Sequence, residues 1–451
     1  MAEPFDLVLG GGQVVLPWGV EALDIGVREG RIAALGVPAS APAAARFDAR
    51  GLAVLPGLID AHVHFRDPGD ASVETIATGT RGAIRGGITT VFDMPNTTPP
   101  ITDAAQLAWK QRHAEATAWC DMGLYVGATK TNVAALGALE SARGACAVKV
   151  FAGSSTGDLL VEDDLSLERV MRSGRRRVAY HSEDEYRLRE RRALFTEGDP
   201  PARHAAWRDV ETAFLGTRRI LALARKTGRP AHILHVSTAE ELDYAARHRD
   251  IATVEVLVNH LTQWAPDAYE RLGTYAVMNP PLRERRHLEA AWAAVADGRV
   301  DVVGSDHAPH PRAAKERPWP SCAAGLTGVQ TIVPVMLDHV AAGRLSLSRL
   351  ADLMAAGPAR VYGLAAKGRI AVGYDADFTV VDPAARRVIE PGWLVSPCGW
   401  SPFAGTTVTG WPVATILRGQ VVMREGEVLG AASGRLARFW GESVEHYADF
   451  A

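Results

Sequence analysis

The chain has 451 residues, with 49 Lys+Arg against 52 Asp+Glu, a formal net charge of −3 and no long run of one sign. That balance excludes a nucleic-acid track or an acidic tail and leaves a small molecule as the expected partner. No apolar segment reaches the ~20 residues that cross a bilayer, the opening "MAEPFDLVLGGG" has no basic-then-apolar leader pattern, and Cys120, Cys146, Cys322 and Cys398 form no CxxC pair, so a cytoplasmic protein without membrane contact, disulfide framework or thiolate zinc site is expected.

Residues 1–56 carry short strand signals punctuated by Gly and Asp, "FDLVLGGGQVV", "LDIGVREGRIAALG" and "FDARGLAVL", with no helix between them. The pattern then changes. "AVLPGLIDAHVH", "ITTVFDMP", "MGLYVGAT", "CAVKVFAG", "RRVAYHSE", "AHILHVS", "ATVEVLVNHL" and "VDVVGSDH" read as buried strands, with one extra short run, "YAVMNPPL". Segments such as "ETIATGTRGAIRGG", "DVETAFLGTRRILALARKTG", "TAEELDYAARHR" and "RERRHLEAAWAAVADG" have helical spacing, and several stop at Gly. Strand and helix alternating eight times predict an α/β fold, a (β/α)8 TIM-like barrel over residues 57–364, ahead of an open doubly wound sheet; no GxGxxG follows the first strand. Residues 365–451 return to the all-β pattern in "GRIAVGYDADFTVVD" and "VATILRGQVVMREGEV". One small β-sandwich built from both termini is expected, with two unrelated flanking hairpins as the alternative.

In a barrel the reactive groups gather at the C-terminal ends of the strands. There the chain places His62 and His64 of "GLIDAHVHFRDPG", then Asn96, Lys149, His181, His235 and Asp306. A lone buried histidine is ordinarily a structural hydrogen-bonding group. Four histidines and an aspartate at one end make a polar pocket that is costly to bury unless a divalent cation satisfies it. Imidazole and carboxylate donors without thiolates favour Zn²⁺, and Mn²⁺, Co²⁺ or Fe²⁺ also suit them.

"DAHVHFRDPG", "DMPNTTPP", "VKVFAGSSTG", "YHSEDE", "ILHVS", "MNPPLR" and "SDHAPH" occur in the order found in the cyclic amidohydrolases. With "SPCGWSPFAG" and "TGWPVATILRGQ" near the end, the chain resembles the dihydroorotases over essentially its whole length. The resemblance implies two divalent metal ions. His62, His64 and Asp306 would hold one, His181 and His235 the other, and Lys149, carbamylated on its amine, would bridge them. Asp158, in "GSSTGDLL", is the alternative bridge. Carbamylation is chemically sensible, since an ammonium beside two dications is repelled and CO₂ addition turns it into an anion.

The implied reaction is the reversible hydrolysis of dihydroorotate to N-carbamoyl-aspartate in pyrimidine synthesis. A hydroxide shared by the cations would attack, with Asp306 as general acid/base. Arg66, Asn96 and His310 occupy the family positions that grip the substrate carboxylate, while Asn279, Ala324 and Gly325 resemble the ring contacts. Arg66 could instead pair locally with Asp67 or Asp60. Residues 310–325 have the Pro, Gly and charge content of a loop that closes over substrate. Allantoinase, dihydropyrimidinase or hydantoinase activity, and a non-catalytic subunit of aspartate carbamoyltransferase, are the alternatives. A homodimer, with aspartate carbamoyltransferase as a further partner, is the expected association.

Overall fold

The computed structural model describes residues 3–155 and 159–442. Strands β1 (Leu58–Val63), β2 (Ile88–Asp93), β3 (Asp121–Gly127), β4 (Ala145–Phe151), β5 (Val178–His181), β6 (Ala231–Ile233), β7 (Ala252–Leu257) and β8 (Val302–Gly304) form one parallel eight-stranded sheet in chain order. The seam between β8 and β1 closes just past the strand ends, where His64 N–H donates to the His307 carbonyl at 2.7 Å and His307 N–H to the His62 carbonyl at 3.3 Å. Every residue of the eight strands is buried except half-buried Thr253. Burial on both faces explains why these strands read as continuous apolar runs.

Helices cover the outside, and most begin on a polar cap. The side chains of Thr75, Asp103, Asp163, Asp209 and Thr238 accept the N3 backbone N–H of the helices Ile76–Arg85, Ala104–Thr117, Asp164–Arg172, Val210–Thr227 and Ala239–Ala246. Two segments depart from the strand pattern. "YAVMNPPL" forms no strand, because Pro280 and Pro281 lack ladder donors, and "ATVEVLVNHL" leaves the sheet at Leu257 to continue as the helix Val258–Thr262.

The terminal strands build two sheets. One has the order Arg31–Leu35, Ile25–Arg28, Phe5–Gly10 and Ala43–Asp48. The other is seven-stranded and interleaves both ends of the chain: Ala53–Pro56 pairs in parallel with Gln13–Leu16 and antiparallel with Phe378–Val388. Leu9, Val27, Phe47, Val54, Phe378, Val413 and Ile416 share one apolar core, so the flanking regions are not independent hairpins.

Not all of the chain beyond residue 365 joins these sheets. Ser396–Trp400 crosses the barrel mouth, where Ser396 Oγ donates to Glu74 at 2.7 Å, Trp400 Nε1 to the His310 carbonyl at 2.8 Å, and Thr327 Oγ1 to the Trp400 carbonyl at 2.7 Å. Arg435–Phe439 runs under the opposite end, with Ala437 N–H on the Met122 carbonyl at 2.8 Å and Phe439 against Phe92. Pro and Gly in "SPCGWSPFAG" break any strand period there. No helix among the described residues is long and apolar enough to cross a membrane, and the four cysteines are buried and unpaired.

Candidate metal centre and substrate site

Alternation along β1 sends His62 and His64 to the same side, into the barrel mouth. Lys149 lies on β4, His181 ends β5, and His235 and Asp306 stand two residues past β6 and β8. These side chains converge. Asp306 Oδ1 is 3.3 Å from His62 Nε2 and 3.1 Å from His64 Nε2, and His181 Nδ1 is 3.0 Å from His235 Nε2. Ligand atoms of His62, His235 and Asp306 lie within 4.8 Å of one another, a spacing that one cation can bridge.

Three of the four rings are oriented from behind. His62 Nδ1 is 2.7 Å from Glu255 Oε1, His64 Nδ1 is 2.6 Å from Asn96 Oδ1, and His181 Nε2 is 2.9 Å from Glu183 Oε2. Each imidazole therefore hands its outer N–H to an oxygen and turns the lone pair of its inner nitrogen toward the cluster, the arrangement that prepares histidine for a metal. Glu183 is held in turn by buried Arg208, whose Nε lies 3.0 Å from Glu183 Oε2. His181 and His235 face each other nitrogen to nitrogen, a contact that either a proton or a shared cation must satisfy. The donor set fits divalent ions.

Sequence reasoning missed Glu255, Glu183 and Arg208. Glu255 was signalled as a carboxylate inside the apolar run "ATVEVLV", and Glu183 as the acid two residues past His181. Arg208 carries no local signal.

The electrostatics follow from burial and proximity. Burial opposes ionisation of Asp306, but His62, His64 and His235 together hold its carboxyl well below the usual range. Burial pushes His64 down to about 3 despite its bond to Asp306. Burial also pushes the Lys149 ammonium down to about 7, against the attraction of Asp306 and Glu255, and among the described residues Lys149 makes no ion pair. The neutral amine, the form that adds CO₂, is thereby brought within reach near neutral pH. Asp158 lies outside the described residues.

Arg66, His235 and Asp306 have φ of 59°, 39° and 47°. Such left-handed backbone costs of order 1–3 kcal/mol per non-glycine residue and persists where the surroundings over-determine it. All three stand at strand ends around this one mouth.

Half-buried Arg66 lies beside the centre. Its Nη2 is 3.3 Å from His310 Nε2, and its Nε is 3.4 Å from the Pro309 carbonyl. His310 Nε2 is also 3.1 Å from the Ala324 carbonyl, which only accepts, so the imidazole proton sits on Nε2. With that N–H given to Ala324, His310 Nε2 cannot accept from Arg66 Nη2, which faces it donor to donor. Burial, with Arg66 and Lys315 nearby, pushes His310 down to about 3 and keeps it neutral. Arg66 makes no ion pair among the described residues. Asp67 instead pairs with His113 at 3.0 Å, and Asp60 accepts the Ser305 N–H at 3.1 Å, so neither is a local partner for Arg66.

Asn279 and the Ala324–Gly325 backbone sit in segments that meet at this mouth, with Gly325 N–H on the Val277 carbonyl at 3.0 Å. Gly325 has φ of 147°, and a Cβ there would fall 2.7 Å from the Ala308 carbonyl oxygen, so only glycine fits. Lys315 ties the same loop down by donating to the carbonyls of Val277, Ala323 and Gly325 at 2.9, 2.8 and 3.1 Å.

A closed parallel barrel with four histidines, a lysine and an aspartate at one mouth defines a hydrolase barrel with a candidate metal centre. The chain belongs to the amidohydrolase family, whose model matches residues 53–422. It is 39% identical over 396 residues to a dihydroorotase of Halobacterium salinarum, covering 85% of this chain and 89% of that one. It is 37% identical over 450 residues to an allantoinase of Rubrobacter xylanophilus, covering 96% and 98%. An L-hydantoinase (dihydropyrimidinase) from Arthrobacter aurescens matches in structure with a TM-score of 0.91 at 28% identity, over 96% of this chain and 100% of that one. The protein is a cyclic amidohydrolase, and its relatives carry three different substrate names.

Proposed function

We propose that the protein is a dihydroorotase, interconverting (S)-dihydroorotate and N-carbamoyl-L-aspartate in pyrimidine synthesis. The observation that carries this reading is Arg66, a half-buried guanidinium at the mouth with no carboxylate partner among the described residues. An unpaired cation in such a place is costly, and a substrate carboxylate removes the cost by taking both prongs of the fork. Dihydroorotate and N-carbamoyl-aspartate carry that group; allantoin, hydantoin and dihydrouracil do not.

In this reading His62, His64 and Asp306 would hold one divalent ion and His181 and His235 a second, carbamylated Lys149 would serve both, and the donor set favours Zn²⁺. Divalent ions held there would supply a water acidified to a pKa of about 7 and a Lewis acid for a ring amide carbonyl. Asp306, kept anionic by its histidine neighbours, takes the proton released as water attacks and delivers it to the departing ring nitrogen. Glu255, Asn96 and Glu183 keep the histidine lone pairs aimed inward. Arg66, Asn96 and His310 grip the carboxylate, while Asn279 and the Ala324–Gly325 backbone meet the ring.

The allantoinase relatives align over the greater share of both chains, which makes allantoin the second reading. The test is kcat/KM of the metal-loaded enzyme for dihydroorotate, N-carbamoyl-aspartate, allantoin, hydantoin and dihydrouracil. A site built around buried donors rejects analogues that leave them unpaired by about 10⁴. Comparable values for dihydroorotate and an uncharged ring would overturn the assignment, and absence of turnover on every ring would favour a non-catalytic subunit.

A further inference from the structure

Asn279 is held from outside the mouth. His204 Nε2 lies 2.9 Å from Asn279 Oδ1 and 3.0 Å from the Met278 carbonyl oxygen, while His204 Nδ1 lies 3.1 Å from Trp319 Nε1. An indole N–H only donates, so His204 Nδ1 must accept and the imidazole proton must sit on Nε2. That N–H faces the asparagine, which leaves one arrangement of the amide: oxygen toward His204, NH₂ away from it. A flipped amide would set two donors against each other beside a buried ring. His204 stays neutral, since burial and then Arg208 push it down to about 3. Trp319 is itself buried and belongs to the 310–325 loop, which Lys315 fastens to Val277, two residues before Asn279.

We propose that His204 is a positioning residue which, with its tautomer set by Trp319, fixes Asn279 as a hydrogen-bond donor to a ring carbonyl of the substrate. The loop over the mouth and the group that recognises the ring are thereby set together. The inference rests on the reading of Asn279 as a ring contact.

The test is a double-mutant cycle of His204→Leu and Asn279→Ala in the metal-loaded full-length enzyme, with KM and kcat measured for dihydroorotate and dihydrouracil. His204→Leu alone raises KM about tenfold, the scale of one well-placed hydrogen bond, with kcat within about twofold and metal content unchanged. His204→Gln, which returns an N–H near the Nε2 position, recovers most of that loss. In the Asn279→Ala background His204→Leu changes KM by less than about twofold, because residues acting through one another are not additive. An equal rise in both backgrounds, or a His204→Leu enzyme with wild-type KM, overturns the proposal. Should His204→Leu fail to fold, Trp319→Phe replaces it in the cycle; it removes only the donor that sets the tautomer, and a rise of about threefold confined to the Asn279 background is expected. Failure of the dihydroorotase reading shows separately, as wild-type preference for dihydrouracil. Both rings carry amide carbonyls, so the cycle still decides the role of His204.

Discussion

Replacing Arg66 with methionine keeps a flexible stem and removes the guanidinium. A hydrogen bond to a charged partner contributes about 1.5–3 kcal/mol net, and the half-buried setting of Arg66 places each prong near the lower end. Two prongs then contribute about 3 kcal/mol, which at about 1.4 kcal/mol per decade is a loss of about 10² in kcat/KM. The grip lies away from the reacting atoms and is the same in ground and transition states, so the loss falls on KM. Arg66→Lys keeps the charge without the planar fork and is expected to lose about tenfold. The assay follows dihydroorotate hydrolysis by absorbance, with dihydrouracil as the uncharged control and metal content measured on each variant. Because Arg66 makes no ion pair among the described residues, Arg66→Met should leave the unfolding midpoint within the range of an ordinary surface change. An Arg66→Met enzyme with wild-type KM for dihydroorotate, or with the same proportional loss on dihydrouracil, would refute the carboxylate grip.

Lys149→Ala should lose bound metal and activity together, with partial rescue by a short carboxylic acid; in the wild-type apo protein, activation by bicarbonate and metal should rise as pH passes through about 7, where the buried amine becomes neutral, and a rise centred near 10 would remove that account. Asp306→Asn should retain some metal yet lose at least about 10² in kcat; more than a tenth of wild-type turnover would exclude a proton-carrying role. Glu183 is held well below its ordinary value by Arg208 and His181 against the effect of burial. Its contribution to stability is therefore present above the unfolded value near 4.3 and lost as pH falls below it. Glu183→Gln should accordingly cost about 3 kcal/mol at pH 7, by leaving Arg208 buried and unpaired, and the gap to wild type in urea unfolding should narrow at pH 3.

The barrel was legible because strands buried on both faces must be apolar throughout, and eight such runs with helices between them have few other arrangements. His62, His64, Lys149, His181, His235 and Asp306 were legible for a related reason: a polar side chain at the end of an apolar strand stands out. What lay hidden depends on contacts between distant segments. Arg208 sits near a helix start and reaches Glu183 only through the fold, and nothing in "PPARHAAWRD" marks His204 as the partner of Asn279, 75 residues on. Glu255 was visible but read as part of a strand, since a buried acid declares its purpose only when its partner, here His62, is known. "YAVMNPPL" misled because β-branched and aromatic residues suggested a strand that two prolines forbid.

The strap Ser396–Trp400 ties the assembly of the mouth to a stretch of chain made long after the barrel strands. All eight barrel strands are complete by residue 304, yet His310, Glu74 and Thr327 take hydrogen bonds from or give them to residues 396–400. A chain emerging from the ribosome can thus close its barrel about ninety residues before the substrate loop gains its last support. For anyone building truncations or fusions, the consequence is that a fragment ending near residue 364 keeps every histidine of the centre but lacks the brace behind His310.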